Sequence, residues 1–149
     1  LARVIRMQWD IHDKISLKDP KFGEIIAFRN IIKRIGPTSV DEEFIAGEVK
    51  DMGYSPFYAR NAVAYNKGPK SFGELIIQRR RIFCGHLEIR KKYGYEASSL
   101  KTRNIYFALK KVILKYPFYI IFVGFLIESY SRTLGLFDYI TNDRLCSNL

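Results

Sequence analysis

The sequence has 149 residues, of which 48% are hydrophobic and 27% are charged, and its formal net charge is +10 at pH 7. This length fits one domain better than two, and the apolar content excludes a wholly disordered chain, because it supplies enough apolar surface to offset the entropy of ordering. Two cysteines and two histidines, far apart in the sequence, exclude a disulfide framework and a zinc site.

The first part of the chain predicts mainly extended structure. Residues 1–16 mix apolar and charged residues without clean periodicity, which favours a strand or a strand followed by a loop. A turn cluster at 18–23 separates them from residues 24–29, an apolar run typical of a short buried strand. Residues 30–35 are predicted to form a short helix that ends before the Gly-Pro pair that follows.

Two capping patterns predict the helices in the middle of the chain. Ser39 and Glu42 have the spacing of a capping box and are followed by apolar residues at helical intervals. Ser71 and Glu74 repeat the pattern and predict a longer helix from about residue 72 to residue 93. The Ser39 and Glu42 pair has a purely structural interpretation, in which Glu42 only completes the cap.

A basic stretch lies directly before the most apolar part of the chain. Residues 67–115 carry thirteen Lys and Arg against three Asp and Glu, and residues 105–114 predict a basic amphipathic helix suited to a membrane interface. Residues 116–137 predict a membrane-embedded or transmembrane helix, in which Glu128 and Arg132 lie one turn apart and are expected to pair. A buried helix of a soluble core is the alternative.

The position of the positive charge also predicts an orientation. Most of the basic residues precede the apolar helix, which by the positive-inside rule favours a cytosolic location for residues 1–115. Two unpaired cysteines would agree with a reducing compartment. The predicted location is the membrane, with the part of the chain before the apolar helix on the cytoplasmic side.

Three motifs follow one another with characteristic spacing. Residues 22–29 begin with Phe-Gly-Glu and end with Ala-Phe-Arg, residues 41–54 begin with an acidic pair and end with Gly-Tyr, and residues 78–85 begin with Gln-Arg-Arg-Arg-Ile and end with Gly. In this order, over about residues 20–137, the chain resembles the C-terminal half of a family 2 glycosyltransferase of the cellulose, chitin and hyaluronan synthase group. The acidic pair is Asp-Glu here, and Ile82 replaces the family's Trp.

The resemblance implies an α/β fold. Residues 1–97 would be the C-terminal half of a GT-A nucleotide-sugar transferase domain, 98–115 a linker and interfacial helix, and 116–149 a membrane-embedded or transmembrane helix with its tail. The nucleotide-binding strands and the Asp-x-Asp motif of the family would belong to an N-terminal half that these residues do not contain. The chain by itself is therefore expected to be inactive.

The resemblance also implies a reaction and its residues. A membrane-associated enzyme would transfer a sugar, with inversion, from a nucleotide-sugar donor to a hydroxyl of a glycan or lipid-linked acceptor. Glu42 would be the general base, with Asp41 as the alternative, and Arg81, Gln78 and Arg29 would bind substrate or diphosphate. Mg²⁺ or Mn²⁺ is expected for the complete enzyme, with no metal ligand in this chain.

Two other functions compete with this one. The basic stretch could form a nucleic-acid-binding module, although it has no helix-turn-helix, zinc or RNA-binding signature, so no nucleic acid partner is expected. The chain could also be a non-catalytic membrane interaction protein. Heparin or DNA binding and its salt dependence would separate the nucleic-acid-binding module from the glycosyltransferase and from the membrane interaction protein.

Overall fold

The computed structural model describes residues 1–23, 25–36 and 38–141, and the described residues form five α-helices and no strand. The helices are α1 (Ala2–Lys18), α2 (Asp41–Asp51), α3 (Phe72–Tyr93), α4 (Thr102–Val112) and α5 (Phe118–Ile140). The prediction of an α/β fold, as the C-terminal part of a GT-A domain, is therefore wrong for the described part of the chain.

The segment predicted as a strand and a short helix forms neither. Residues 25–29 have no strand partner among the described residues, and Ile25 is 76% exposed, whereas Glu24 lies outside the described residues. Residues 30–35 contain only a turn at their start. A strand is stable only when a neighbouring strand satisfies its backbone groups, so an apolar run alone does not produce one.

Residues 1–16, predicted as a strand, instead belong to the helix α1. The buried stripe of this helix includes Val4, Gln8, Ile15 and Ser16. These positions follow the helical repeat, but two of the side chains are polar. The polar residues therefore interrupt the apolar periodicity from which a helix is predicted.

The helix α3 matches its prediction from end to end. Ser71 is its N-cap and accepts a hydrogen bond of 3.1 Å from the backbone N–H of Glu74. At the other end Gly94 has φ of 69°, the left-handed conformation in which a helix commonly ends. The Ser71 half of the capping box therefore forms as predicted, whereas the Glu74 carboxylate accepts a hydrogen bond of 2.7 Å from the backbone N–H of Lys70.

The other predicted capping box does not form. The N-cap of α2 is Val40, and the Ser39 hydroxyl is buried without a hydrogen-bond partner among the described residues. Ser39 lies against Gly85 of α3, so close that a Cβ atom added to Gly85 would be 2.4 Å from the Ser39 Oγ. Contact with α3 thus holds Ser39 away from the first turn of α2.

Two groups of buried apolar residues hold the helices together. The larger group joins α1, α3, α4 and α5 through Val4, Ile5, Met7, Leu75, Val112, Ile120 and Ile127. The smaller group joins α2 to the second half of α3 through Val40, Phe44, Ile45, Val49 and Ile89. Because α3 belongs to both groups, it is the central element of the structure.

The helix α5 has one packed face and one apolar face open to the outside. Its packed face carries small and polar residues, including Gly124, Ser131 and Gly135, and a Cβ added to Gly135 would be 2.7 Å from the backbone oxygen of Arg80. Within the described residues α5 is the one helix long and apolar enough to cross a membrane. Its membrane location stays a prediction.

One detail of this helix is confirmed and one expectation from the sequence is wrong. Arg132 donates a hydrogen bond of 2.9 Å to Glu128, as their spacing predicts. Cys84 of α3 is disulfide-bonded, so the expectation that it is unpaired is wrong, and Cys146 lies outside the described residues. The cysteines therefore give no support to a cytosolic location, which stays a prediction from the charge distribution.

Candidate functional site

A cleft of about 1710 Å³ opens along α3 and is lined by most of the site residues that the sequence predicts. The walls of the cleft come from α1, the irregular residues 21–23, 25–31 and 54–67, the first turn of α2, and the helices α3, α4 and α5. Its volume exceeds the roughly 300–1,000 Å³ of ordinary small-molecule sites. The cleft therefore has room for a large substrate or for more than one ligand.

The acidic pair lies on one wall of this cleft. Asp41 and Glu42 are the first two residues of α2, where the positive end of the helix dipole favours carboxylates. Their position depends on Gly85, because any Cβ at this residue would also lie 2.9 Å from Val40, the N-cap of α2. The absence of a side chain at Gly85 lets the acidic end of α2 approach α3.

Glu42 has the properties of a proton acceptor. Burial raises the pKa of the Glu42 carboxyl above its ordinary value, and the adjacent Asp41 raises it further, while Lys21 acts in the opposite direction. A carboxylate with a raised pKa is a stronger base, which suits general base catalysis near neutral pH. The sequence-predicted base therefore lies in the cleft in an environment that increases its basicity.

The helix α3 brings Gln78 to the cleft but not Arg81. Gln78, Arg79 and Ile82 line it, and Ile82 also packs against the smaller apolar group. Arg81 is half-buried outside the cleft, and its Nε has no hydrogen-bond partner in the part of the chain that the structure describes. Of the two arginines, Arg79 is therefore the one placed to contact a ligand in the cleft.

Arg29, the end of the first motif, also lines the cleft. Its guanidinium carbon lies 5.8 Å from the ring centroid of Tyr54, the last residue of the second motif. This is a cation–π distance, and both side chains are exposed. The structure thus brings together Asp41, Glu42, Gln78 and Arg29 of the predicted site residues.

Several cleft residues are missing from the sequence prediction. Arg79 contacts His12 of α1 at 3.4 Å and Glu128 of α5 at 3.4 Å, and Glu128 also pairs with Arg132. The sequence does not indicate His12 as a cleft residue because residues 1–16 are predicted as a strand or a strand followed by a loop. Arg79 has a detectable signal, because Leu75, Arg79, Ile82 and His86 follow one helical stripe.

A buried acid–histidine pair lies beside the acidic pair. The Oε1 of Glu43 is 3.9 Å from the Nε2 of His86, and the two side chains are only 2% and 6% exposed. Burial raises the pKa of Glu43, and burial followed by the charges of Lys21, Arg132 and Arg79 lowers the pKa of His86 to about 3. His86 is therefore neutral at physiological pH and adds no charge to the cleft.

The described residues do not fit a metal site. They contain no group of three His, Cys, Asp or Glu side chains that could hold a metal ion.

The chain has no match among protein-family models, curated proteins or solved structures. The resemblance to family 2 glycosyltransferases therefore depends on the three sequence motifs.

Proposed function

We propose that the chain provides the acceptor side of a membrane-associated inverting glycosyltransferase. The observation that carries the proposal is the presence of Glu42, Asp41 and Gln78 in one cleft, on two different helices. The raised pKa of Glu42 supports its assignment as the base. The partners in this reaction are a nucleotide-sugar donor and an acceptor with a free hydroxyl.

The proposed chemistry is a single displacement. The Glu42 carboxylate removes the proton of the acceptor hydroxyl while that oxygen forms a bond to the anomeric carbon of the donor sugar. The bond from this carbon to the diphosphate breaks on the opposite face, so the configuration inverts and a nucleoside diphosphate leaves. Proton removal by a positioned base contributes about 10²–10⁴-fold to such a reaction.

Arg79 and Arg81 are two candidates for contact with the negative charge of the leaving group. The family motif favours Arg81, whereas the cleft contains Arg79. Arginine suits this role because its planar guanidinium remains charged and binds phosphate oxygens in a bidentate manner. We favour Arg79, with Gln78 and Arg29 as further contacts to donor or acceptor.

The donor-binding part of the enzyme and its Mg²⁺ or Mn²⁺ are proposed to lie on other residues. The described residues offer no set of ligands for such an ion, so no step of the displacement is assigned to it.

Two apolar side chains in residues 54–67 are open to the outside in the cleft wall: Phe57 is 89% exposed and Tyr65 is 98% exposed. Exposed apolar side chains of this kind favour coverage by a partner surface.

The test is the release of nucleotide from a panel of nucleotide sugars, with and without Mg²⁺, by the enzyme that carries its donor-binding part. Glu42→Gln should lower turnover by at least 100-fold while donor binding stays nearly unchanged, because the amide keeps the shape and loses the base. Glu48→Gln, on the same helix but outside the cleft, is the matched control.

The outcome also assigns the arginine. If Arg79→Ala lowers turnover and diphosphate binding more than Arg81→Ala does, Arg79 is the arginine that contacts the leaving group, as the cleft geometry predicts. Full turnover by Glu42→Gln would move the base to Asp41, which Asp41→Asn then tests. Nucleotide release by residues 1–149 alone would contradict a separate donor-binding part, and no release under any condition would favour the non-catalytic membrane protein.

A further inference from the structure

The cleft is lined by both polar and apolar side chains. The acidic pair and Gln78 are among the polar ones, whereas exposed apolar side chains come from α4, from the residue directly after it and from the first half of α5. These apolar residues are 37–78% exposed and comprise Leu109, Ile113, Phe118, Phe122 and Phe125. Because both kinds of side chain line the same cleft, a ligand that fills it would have a polar part and an apolar part.

Three cationic side chains line the cleft close enough to His86 for their charges to lower its pKa. Lys21 follows α1, Arg79 comes from α3 and Arg132 from α5, so three separate parts of the chain contribute to the cluster. Glu128 pairs with both arginines, at 3.4 Å and 2.9 Å. No described carboxylate lies within ion-pair distance of Lys21, and the three cations therefore retain net positive charge.

On one face of α5, apolar side chains are followed along the helix by a cationic one. Phe118, Phe122, Phe125 and Arg132 follow one another at intervals of four, three and seven residues. Such intervals keep side chains on one side of a helix. This face of α5 therefore passes from an apolar wall to a fixed positive charge.

We propose that the acceptor is a lipid-linked sugar whose single hydrocarbon chain lies along the apolar wall formed by α4 and α5 and whose phosphate binds the Lys21, Arg79 and Arg132 cluster. This proposal rests on the proposed function, since it identifies the class of acceptor for that site. The sugar hydroxyl would reach Glu42, the phosphate would bind the cations, and the chain would lie along the apolar wall. A soluble glycan would leave both the apolar wall and the cations without a ligand.

The binding test uses farnesyl phosphate in neutral detergent micelles, with farnesol and inorganic phosphate as separate probes. Trp9 is the single tryptophan of the sequence and lines the cleft, so its fluorescence reports binding. The chain should bind farnesyl phosphate at least tenfold more tightly than farnesol, because charge-assisted hydrogen bonds add to the apolar contact. Equal affinity for the two, or equally tight binding of inorganic phosphate, would overturn the proposal.

Variants locate the phosphate. Arg132→Gln should weaken the binding of farnesyl phosphate about tenfold and leave farnesol binding unchanged, and Arg132→Lys should keep most of the affinity. Arg103→Gln, on α4 and outside the cleft, is the matched control for charge. An equal loss with Arg103→Gln would show general attraction to the micelle, and an equal loss of farnesol binding in Arg132→Gln would show damage to the wall. Either result contradicts the proposal.

The same measurements separate this proposal from the proposed function. Specific binding of farnesyl phosphate without nucleotide release in the transferase assay would remove the glycosyltransferase and leave a site for lipid phosphates. Nucleotide release that depends on a soluble glycan, together with no binding of farnesyl phosphate, would keep the transferase and remove the lipid acceptor.

Discussion

Gly85 sets the distance between α3 and the acidic end of α2, and its replacement by alanine tests this geometry directly. A Cβ at residue 85 would lie 2.4 Å from the Ser39 Oγ and 2.9 Å from the Val40 Cγ2. Ser39 is half-buried with its hydroxyl buried, and Val40 is 1% exposed. The Val40 side chain has no open space to move into, so the added methyl group should push α2 away from α3.

The magnitude follows from two opposing effects. Overpacking a filled core costs about 1–3 kcal/mol. Alanine in a helix interior is about 1 kcal/mol more favourable than glycine, which offsets part of that cost. Gly85→Ala should therefore lower the free energy of unfolding by up to about 2 kcal/mol. At Gly73, on the same helix, no atom lies closer than 3.8 Å to an added Cβ, and Gly73→Ala should instead be neutral or stabilising.

Urea unfolding followed by circular dichroism measures both variants under the same conditions. The expected result is a lower midpoint for Gly85→Ala and an equal or higher midpoint for Gly73→Ala, with the same slope. In the transferase assay Gly85→Ala should also reduce turnover, because it displaces Glu42. A Gly85→Ala variant more stable than the unmodified chain would refute the close approach of the two helices.

Two further predictions concern pH and the membrane. Burial lowers the pKa of His86 to about 3 from its ordinary 6.5, so the unfolded chain binds a proton that the folded chain does not. The free energy of unfolding should fall as the pH drops from 6.5 towards 3, and His86→Gln should flatten this dependence in urea titrations at a series of pH values. Leu126→Gln combined with Phe137→Gln, at exposed α5 positions outside the cleft, should weaken sedimentation with anionic vesicles about tenfold. Met52 is also exposed but lies outside α4 and α5, so Met52→Gln should leave sedimentation with the vesicles unchanged.

The helices with strong local signals were predictable from the sequence. The N-cap Ser71 and the C-terminal Gly94 act within a few residues, so the ends of α3 follow from nearby chemistry alone. The long apolar run that becomes α5 is equally local. Ser39 had the same local signal as Ser71, but contact with Gly85 prevents it from capping α2.

Structure that depends on distant partners was not predictable. The polar Gln8 and Ser16 are buried in α1, and only the tertiary contacts reveal that their positions belong to a buried stripe. Residues 25–29 are apolar enough for a strand, but pairing requires a neighbour that no local pattern specifies. At the site, Glu42 and Gln78, which the sequence indicated, both line the cleft, and their roles stay predictions. The sequence favoured Arg81 over Arg79 because the family motif outweighed the helical stripe.

The charges on α5 favour one kind of membrane attachment over another. Glu128 pairs with Arg79, and Asp138 forms a two-bond ion pair with Arg80, so α5 is tied to α3 at both places. A membrane-spanning α5 would take these arginines into the hydrocarbon as well, at a cost of several kcal/mol. A helix lying in the interface avoids this cost, because its apolar side faces lipid while the paired charges remain at the level of the headgroups. In that orientation the cleft opens beside the lipid, where a lipid-linked acceptor could enter it.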